Sequence, residues 1–154
     1  MAEKEYSENE LLRKAIDLLS RREYSKAELA LKFERLASQQ TSEAVLHRLE
    51  ELGYQSEQRF VESFVRMRVS QGHGLVRIRF DLSRKGITDD LLNEVLEGLN
   101  IDWYGQAREL YARKYTDPLD VKDYKGKAKR MRFMAQRGYT MDEIHYAMDA
   151  ESGA

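Results

Sequence analysis

The sequence predicts an all-α protein of three tandem three-helix repeats forming an elongated, curved helical array. Three observations carry this expectation. Apolar residues recur at spacings of three and four along most of the chain, the period of an amphipathic helix. Ser or Thr precedes many of these runs, several times with Glu three residues on, the box that satisfies the first free N–H groups of a helix. One proline and nine glycines punctuate 154 residues, most of the glycines fall where a run ends, and no convincing strand is found.

Taken in order, Ser7 and Glu10 open the first helix, which carries Leu11, Leu12, Ala15, Ile16 and Leu19 on one face. Ser25 and Glu28 open the second, with Leu29, Phe33 and Leu36. The third is expected to start at Thr41 or Ser42, to carry Val45, Leu46, Leu49 and Leu52, and to stop at Gly53. Ser56 caps a fourth with Phe60, Val61, Phe64, Val65 and Val69, broken by Gly72-His73-Gly74. A fifth runs from Leu75 to Lys85 and stops at Gly86; Thr88 caps a sixth with Leu91, Leu92, Val95, Leu96 and Leu99. Asp102 caps a seventh with Trp103, Ala107, Leu110, Tyr111 and Tyr115, and Asp117-Pro118 marks a turn. An eighth spans residues 122–137 before Gly138, and Thr140 with Glu143 opens a ninth bearing Ile144, Ala147 and Met148.

The nine segments group in threes: residues 1–54, 55–100 and 101–154, the last with a C-terminal tail. Lys85-Gly86-Ile87-Thr88 matches Arg137-Gly138-Tyr139-Thr140, Leu82 matches Met134, and Leu92, Val95 and Leu96 match Ile144, Ala147 and Met148. Thr41, Thr88 and Thr140 lie 47 and 52 residues apart, with the Thr41 segment fitting less well upstream; the period suggests helical repeats too small to close their own cores, the alternative being the capping pattern that any tight helix–helix junction favours.

Lys plus Arg is 26 and Asp plus Glu is 27, so net charge names no partner, but the signs are segregated. Residues 66–85 hold Arg66, Arg68, Arg77, Arg79, Arg84 and Lys85 against Asp81 alone. Residues 122–137 hold Lys122, Lys125, Lys127, Lys129, Arg130, Arg132 and Arg137 against Asp123 alone. At 100° per residue the fifth helix sets Leu75, Ile78 and Leu82 inward, with Arg77 and Arg84 opposite and Phe80 beside them. The eighth is expected to set Tyr124, Ala128, Met131 and Ala135 inward, with Lys129, Arg130, Phe133 and Arg137 opposite. Either Phe80 and Phe133 pack on a neighbouring repeat, or each anchors a basic face on an acidic groove or phosphate backbone. The candidate contact residues are Arg66, Arg68, Arg77, Phe80, Arg84, Lys85, Lys125, Lys129, Arg130, Phe133 and Arg137.

Catalytic chemistry finds little support. No Cys is present, which excludes disulfides, thiolate metal sites and a cysteine nucleophile. His47, His73 and His145 stand alone, outside any metal-spacing motif, and read as surface or helix-end residues. Gly72-His73-Gly74 is too short for a phosphate loop, and Asp89-Asp90 reads as a helix first turn. Neither an enzyme nor a cofactor or metal is expected. The start Met1-Ala2-Glu3-Lys4-Glu5 has no apolar core, so no signal peptide and no membrane span are expected, which points to the cytoplasm.

Gly53-Tyr54, the Arg59-Phe60 helix ending at Arg68, Gly72-His73-Gly74, and Arg77-Ile78 leading to Leu82 and Lys85-Gly86-Ile87 make the middle of the chain one pattern, and that pattern resembles the RecX family of bacterial recombination regulators. Ile101-Asp102-Trp103, Lys114-Tyr115 and Arg132-Phe133 through Arg137-Gly138-Tyr139 are similar too, so the resemblance runs from about residue 8 to 149. Gln55 and Ser56 stand where the family commonly has acids, His73 where it has an aromatic, and Leu75 where it has proline. The resemblance implies a monomer that lodges in the groove of the RecA–DNA filament and suppresses RecA ATPase, strand exchange and co-protease activities. Single- or double-stranded DNA is a further partner it allows. The alternative is a stand-alone DNA-binding helical regulator with the fifth helix, through Arg77, Arg79 and Arg84, as its recognition element.

Overall fold

The computed structural model describes residues 5–152, so Met1–Lys4, on which the absence of a leader was read, and the last two residues of the tail lie outside it. Among the described residues the chain is helical throughout, with no strand. The helices are α1 (Glu8–Leu19), α2 (Lys26–Phe33), α3 (Gln39–Glu51), α4 (Glu57–Ser70), α5 (Leu75–Ser83), α6 (Asp89–Leu99), α7 (Trp103–Lys114), α8 (Tyr124–Gln136) and α9 (Met141–Ser152).

The local signals explain their starts. Ser7 and Ser25 each accept from the backbone N–H three residues on, and Glu10 and Glu28 reach back to the cap. Thr140 and Glu143 repeat the arrangement for α9, at 2.8 and 3.2 Å. α3 corrects the expected start. Ser38, not Thr41 or Ser42, is its cap, with Thr41 N–H donating to Ser38 Oγ at 3.1 Å. Ser-x-x-Thr lacks the returning acid, and so lacks the box that marked the other starts. α2 ends at Phe33, leaving Leu36 in the following turn, where it still packs on the core. α5 ends at Ser83, two residues short of Lys85.

The ends share one device. Gly53, Gly72, Gly86 and Gly138 have positive φ, and the residue after each donates its N–H back five positions: Tyr54 to Leu49, His73 to Arg68, Ile87 to Leu82 and Tyr139 to Met134. These bonds satisfy carbonyls that the helix end would leave open. Three of the positions matched in sequence are matched in burial, Leu82 with Met134, Leu92 with Ile144, and Val95 with Ala147, whereas Leu96 is half-buried and Met148 buried.

By contact the chain divides into two compact units, Met1–Phe64 with Leu82–Val95, and Val65–Asp81 with Leu96–Ala154, so the boundary falls inside α4, α5 and α6. In the first unit α3 packs on α1 and α2 around Leu11, Ala15, Tyr24, Leu29, Phe33, Val45 and Leu49. Burying each large side chain contributes about 1.5–3 kcal/mol. Gln55, buried, donates to Tyr24 O and Glu57 Oε1, and Glu57 accepts from Lys26 N–H at the start of α2. In the second unit α7 runs along α9, and α8 closes a core of Ala107, Leu110, Tyr111, Met134, Tyr139, Ile144, Ala147 and Met148.

The expected facing of α8 holds only in part: Met131 packs on the core and Lys129 is exposed, as expected, but the other positions differ. Tyr124 is 78% exposed, Ala128 and Ala135 are exposed, and Met134 is fully buried. The supposed outer residues Arg130, Phe133 and Arg137 are half-buried, and Phe133 packs on the core. Two alanines offer little area to bury. A phenylalanine and a methionine offer far more, and arginines can lie along aromatic rings while their heads reach polar partners.

Candidate functional site

The second unit holds a junction built on two glycine breaks. Gly74 N–H donates to Arg137 O at 2.8 Å, and Val76 N–H to Gly138 O at 3.0 Å, so carbonyls at the end of α8 take the first free donors of α5. Tyr139 Oη donates to Gly72 O at 3.0 Å. Burial, with the Glu143 carboxylate adding to it, pushes the Tyr139 hydroxyl up to about 12, so it stays a donor.

His73 is buried here. Arg68 NH1 lies 3.3 Å from Nδ1, which makes Nδ1 the acceptor and puts the proton of the neutral ring on Nε2. Burial holds the imidazole below its ordinary 6.5, with Arg77, Arg68 and Arg137 adding to this and Asp81 opposing it. The helix-end reading of His73 stands, since it follows α4, but the residue is an interior acceptor.

Around this junction the candidate residues sort by what they touch. Arg68 and Arg77 approach Asp81 Oδ2 at 3.7 and 3.8 Å, and Arg77 also donates to Gln136 O at 3.3 Å. Arg137 donates to Gln71 O at 3.2 Å and lies 5.4 Å over the Phe133 ring. Arg130 donates to Tyr111 Oη at 2.8 Å and to Asp117 O, and stacks 4.5 Å over Tyr115. Phe133 meets Tyr115 edge-on at 5.8 Å. These side chains hold the second unit together.

Lys85 belongs to the first unit, where its Nζ sits 2.8 Å from Glu28 Oε2 and 5.9 Å from the Phe64 ring. Burial pushes Glu28 up, but the hydrogen bonds from Lys85 and Ser25, with Lys85 and Arg22 charges, outweigh it and leave the carboxyl below its ordinary value.

Others face outward. Phe80 is 60% exposed on α5 and Val76, one turn before it, 54%. Arg66, Arg84, Lys125 and Lys129 are exposed. Arg66 lines an open hollow of about 440 Å³ with Val69, Leu99, Ile101 and Arg113. The sequence reading missed Val76, Arg113 and Tyr124. Tyr124 directly follows the capping Asp123 and precedes Lys125, a first-turn position that the periodicity alone set inward.

Two family models match this chain: RecX, second three-helix domain, over residues 56–96, and RecX, third three-helix domain, over residues 101–148. The chain belongs to the RecX family. Among its relatives, the regulatory protein RecX of Chromohalobacter salexigens is 40% identical over 138 residues, covering 87% of this chain and 88% of that one. The regulatory protein RecX of Pseudomonas savastanoi pv. phaseolicola is 39% identical over 142 residues, covering 92% and 91%. The crystal structure of RecX from Lactobacillus salivarius shares the fold, with a TM-score of 0.79 at 20% identity over 96% of this chain and 97% of that one. The RecX relatives are named regulatory proteins. Among the described residues no helix is long and apolar enough to cross a membrane.

Proposed function

We propose that this chain is a non-enzymatic regulator of RecA. It binds the RecA–DNA filament along its groove as an elongated array of three repeats, residues 1–54, 55–100 and 101–154, and slows ATP hydrolysis, strand exchange and co-protease activity. It acts as a monomer in the cytoplasm, within recombination, DNA repair and the SOS response. Family membership supports the partner. The observation that carries the contact is the outer face of α5, where Val76 and Phe80, one turn apart, are more than half exposed beside a basic segment.

An exposed aromatic among cations is what a protein groove uses as an anchor, with the charges guiding encounter and register. Arg66 and Arg84 are exposed as well and are further proposed contact residues. Contacts spread along the chain add up only if the geometry lets them engage together, which suits a repeated partner such as a filament.

The test is ATP hydrolysis by RecA on single-stranded DNA with the full chain added in increasing amounts. The parent protein should slow it. Phe80→Ala, at an exposed site, should melt as the parent does and inhibit several-fold less. Inhibition by Phe80→Ala equal to the parent's removes α5 from the contact.

A further inference from the structure

The first unit carries a hollow that the contact on α5 does not use. It has a volume of about 350 Å³ and lies between α2 and α3. Ala30 and Glu34 line it from the α2 side. Gln39, Ser42, Glu43 and Leu46, one stripe of α3 at spacings of three and four, line it from the other, and Ala37 in the connection completes it.

Ser42 is only 8% exposed, and its Oγ has no hydrogen-bond partner among the described residues. A serine within a helix can turn its hydroxyl onto the carbonyl four residues back. Here Ser38 O takes the Ser42 N–H at 2.9 Å and not the hydroxyl. Folding gains nothing from such a group, since alanine would fill the position without leaving a buried polar atom unpaired.

The same hollow holds two exposed carboxylates. Glu43 accepts from Gln39 Nε2 at 3.1 Å, and neither Glu34 nor Glu43 forms an ion pair among the described residues. Lys32 and Arg35, on either side of Glu34 in sequence, do not line it.

Two carboxylates and an unpaired hydroxyl call for a cation rich in donors. Ala37 and Leu46, half-buried against the core, offer its stem an apolar wall. A metal ion fits poorly, because among the described residues no three His, Cys, Asp or Glu side chains gather to hold one. A lysine ammonium is compact and strongly hydrated. A guanidinium sheds water more readily and carries its N–H groups in a planar fork, so it can serve both carboxylates and the hydroxyl at once. Ala30, Glu34, Gln39 and Glu43 are exposed, so a free small cation would keep much of its surface in water. A side chain carried on a docked protein is held in place by the contacts around it.

We propose that the hollow between α2 and α3 is a pocket for an arginine side chain of the protein that this chain regulates, the guanidinium meeting Glu34, Glu43 and Ser42 Oγ and the methylenes lying on Ala37 and Leu46. The source of the arginine rests on the proposed regulatory role; the chemistry of the pocket does not.

The test is amide NMR of the full chain titrated with N-acetyl-arginine amide, without RecA. Saturable shifts should centre on Ser42 and Glu43. N-acetyl-citrulline amide, of like shape but uncharged, should bind at least roughly 5-fold more weakly, as should the arginine probe to Glu34→Gln with Glu43→Gln. Ser42→Ala should also lose probe affinity while melting no lower than the parent, which a purely structural serine would not do. In RecA ATP hydrolysis the double variant, melting as the parent does, should inhibit several-fold less. Unshifted Ser42 and Glu43 amides, or citrulline bound as tightly as arginine, overturn the pocket. So does spermidine shifting the same amides more strongly than the arginine probe, which would assign the hollow to a free polyamine. Parent-like inhibition by the double variant overturns the source. A parent protein that takes up the probe but never slows RecA fails the regulatory role, and the source with it.

Discussion

Gly138→Ala should unfold the protein at a markedly lower temperature, and the cost follows from the junction. Gly138 has φ +104°, where an L-residue is strained by roughly 1–2 kcal/mol. Its new Cβ would lie 2.5 Å from Arg77 Cβ and 2.7 Å from Arg77 N, so the start of α5 must move. Moving it lengthens the bonds from Gly74 N–H to Arg137 O and from Val76 N–H to Gly138 O. A buried donor left unsatisfied costs about 1–3 kcal/mol. The sum is about 3 kcal/mol or more, or a drop of roughly 6–12 °C for a chain of this size. Gly98→Ala is the control. It lies in α6 with nothing near its Cβ position and should leave stability unchanged or raise it by up to about 1 kcal/mol. The assay is thermal unfolding followed by circular dichroism at the helical band. A Gly138→Ala protein melting within about 2 °C of the parent would refute the junction as described.

Two further outcomes are expected. His73 titrates lower when folded than its ordinary 6.5, so the unfolded chain binds the extra proton first; stability should hold above about 6.5 and fall as pH drops below it. His73→Gln should flatten that fall in denaturant titrations, and an unchanged pH profile would count against the buried-acceptor role. Lys85→Met leaves the half-buried Glu28 carboxylate with only Arg22 and the Ser25 N–H and should cost about 1 kcal/mol in urea unfolding, while inhibition of RecA by the folded variant stays at the parent level. A specific loss of inhibition without loss of stability would return Lys85 to the contact surface.

What the sequence made legible is local. Ser7, Ser25, Thr140 and Asp102 announce their helices because a cap and the N–H it satisfies lie within three residues. The glycine ends and the matched positions Leu82 and Met134 are local in the same way. The facing of α8 was not legible, because periodicity alone gives Tyr124, Ala128 and Ala135 the weight of Phe133 and Met134. Only the packed partners, Tyr111 and Tyr115 under Arg130, decide which stripe turns inward. The division of the candidate cations was equally hidden. Lys85 meets Glu28 across 57 residues and Arg137 meets Gln71 across 66, and no local pattern encodes such pairs.

The most direct test of the regulatory role is sedimentation of RecA filaments assembled on single-stranded DNA with this chain present. The protein should pellet with the filaments to a saturating ratio and stay in solution when RecA is left out. A chain that remains in the supernatant at every filament concentration would contradict the role.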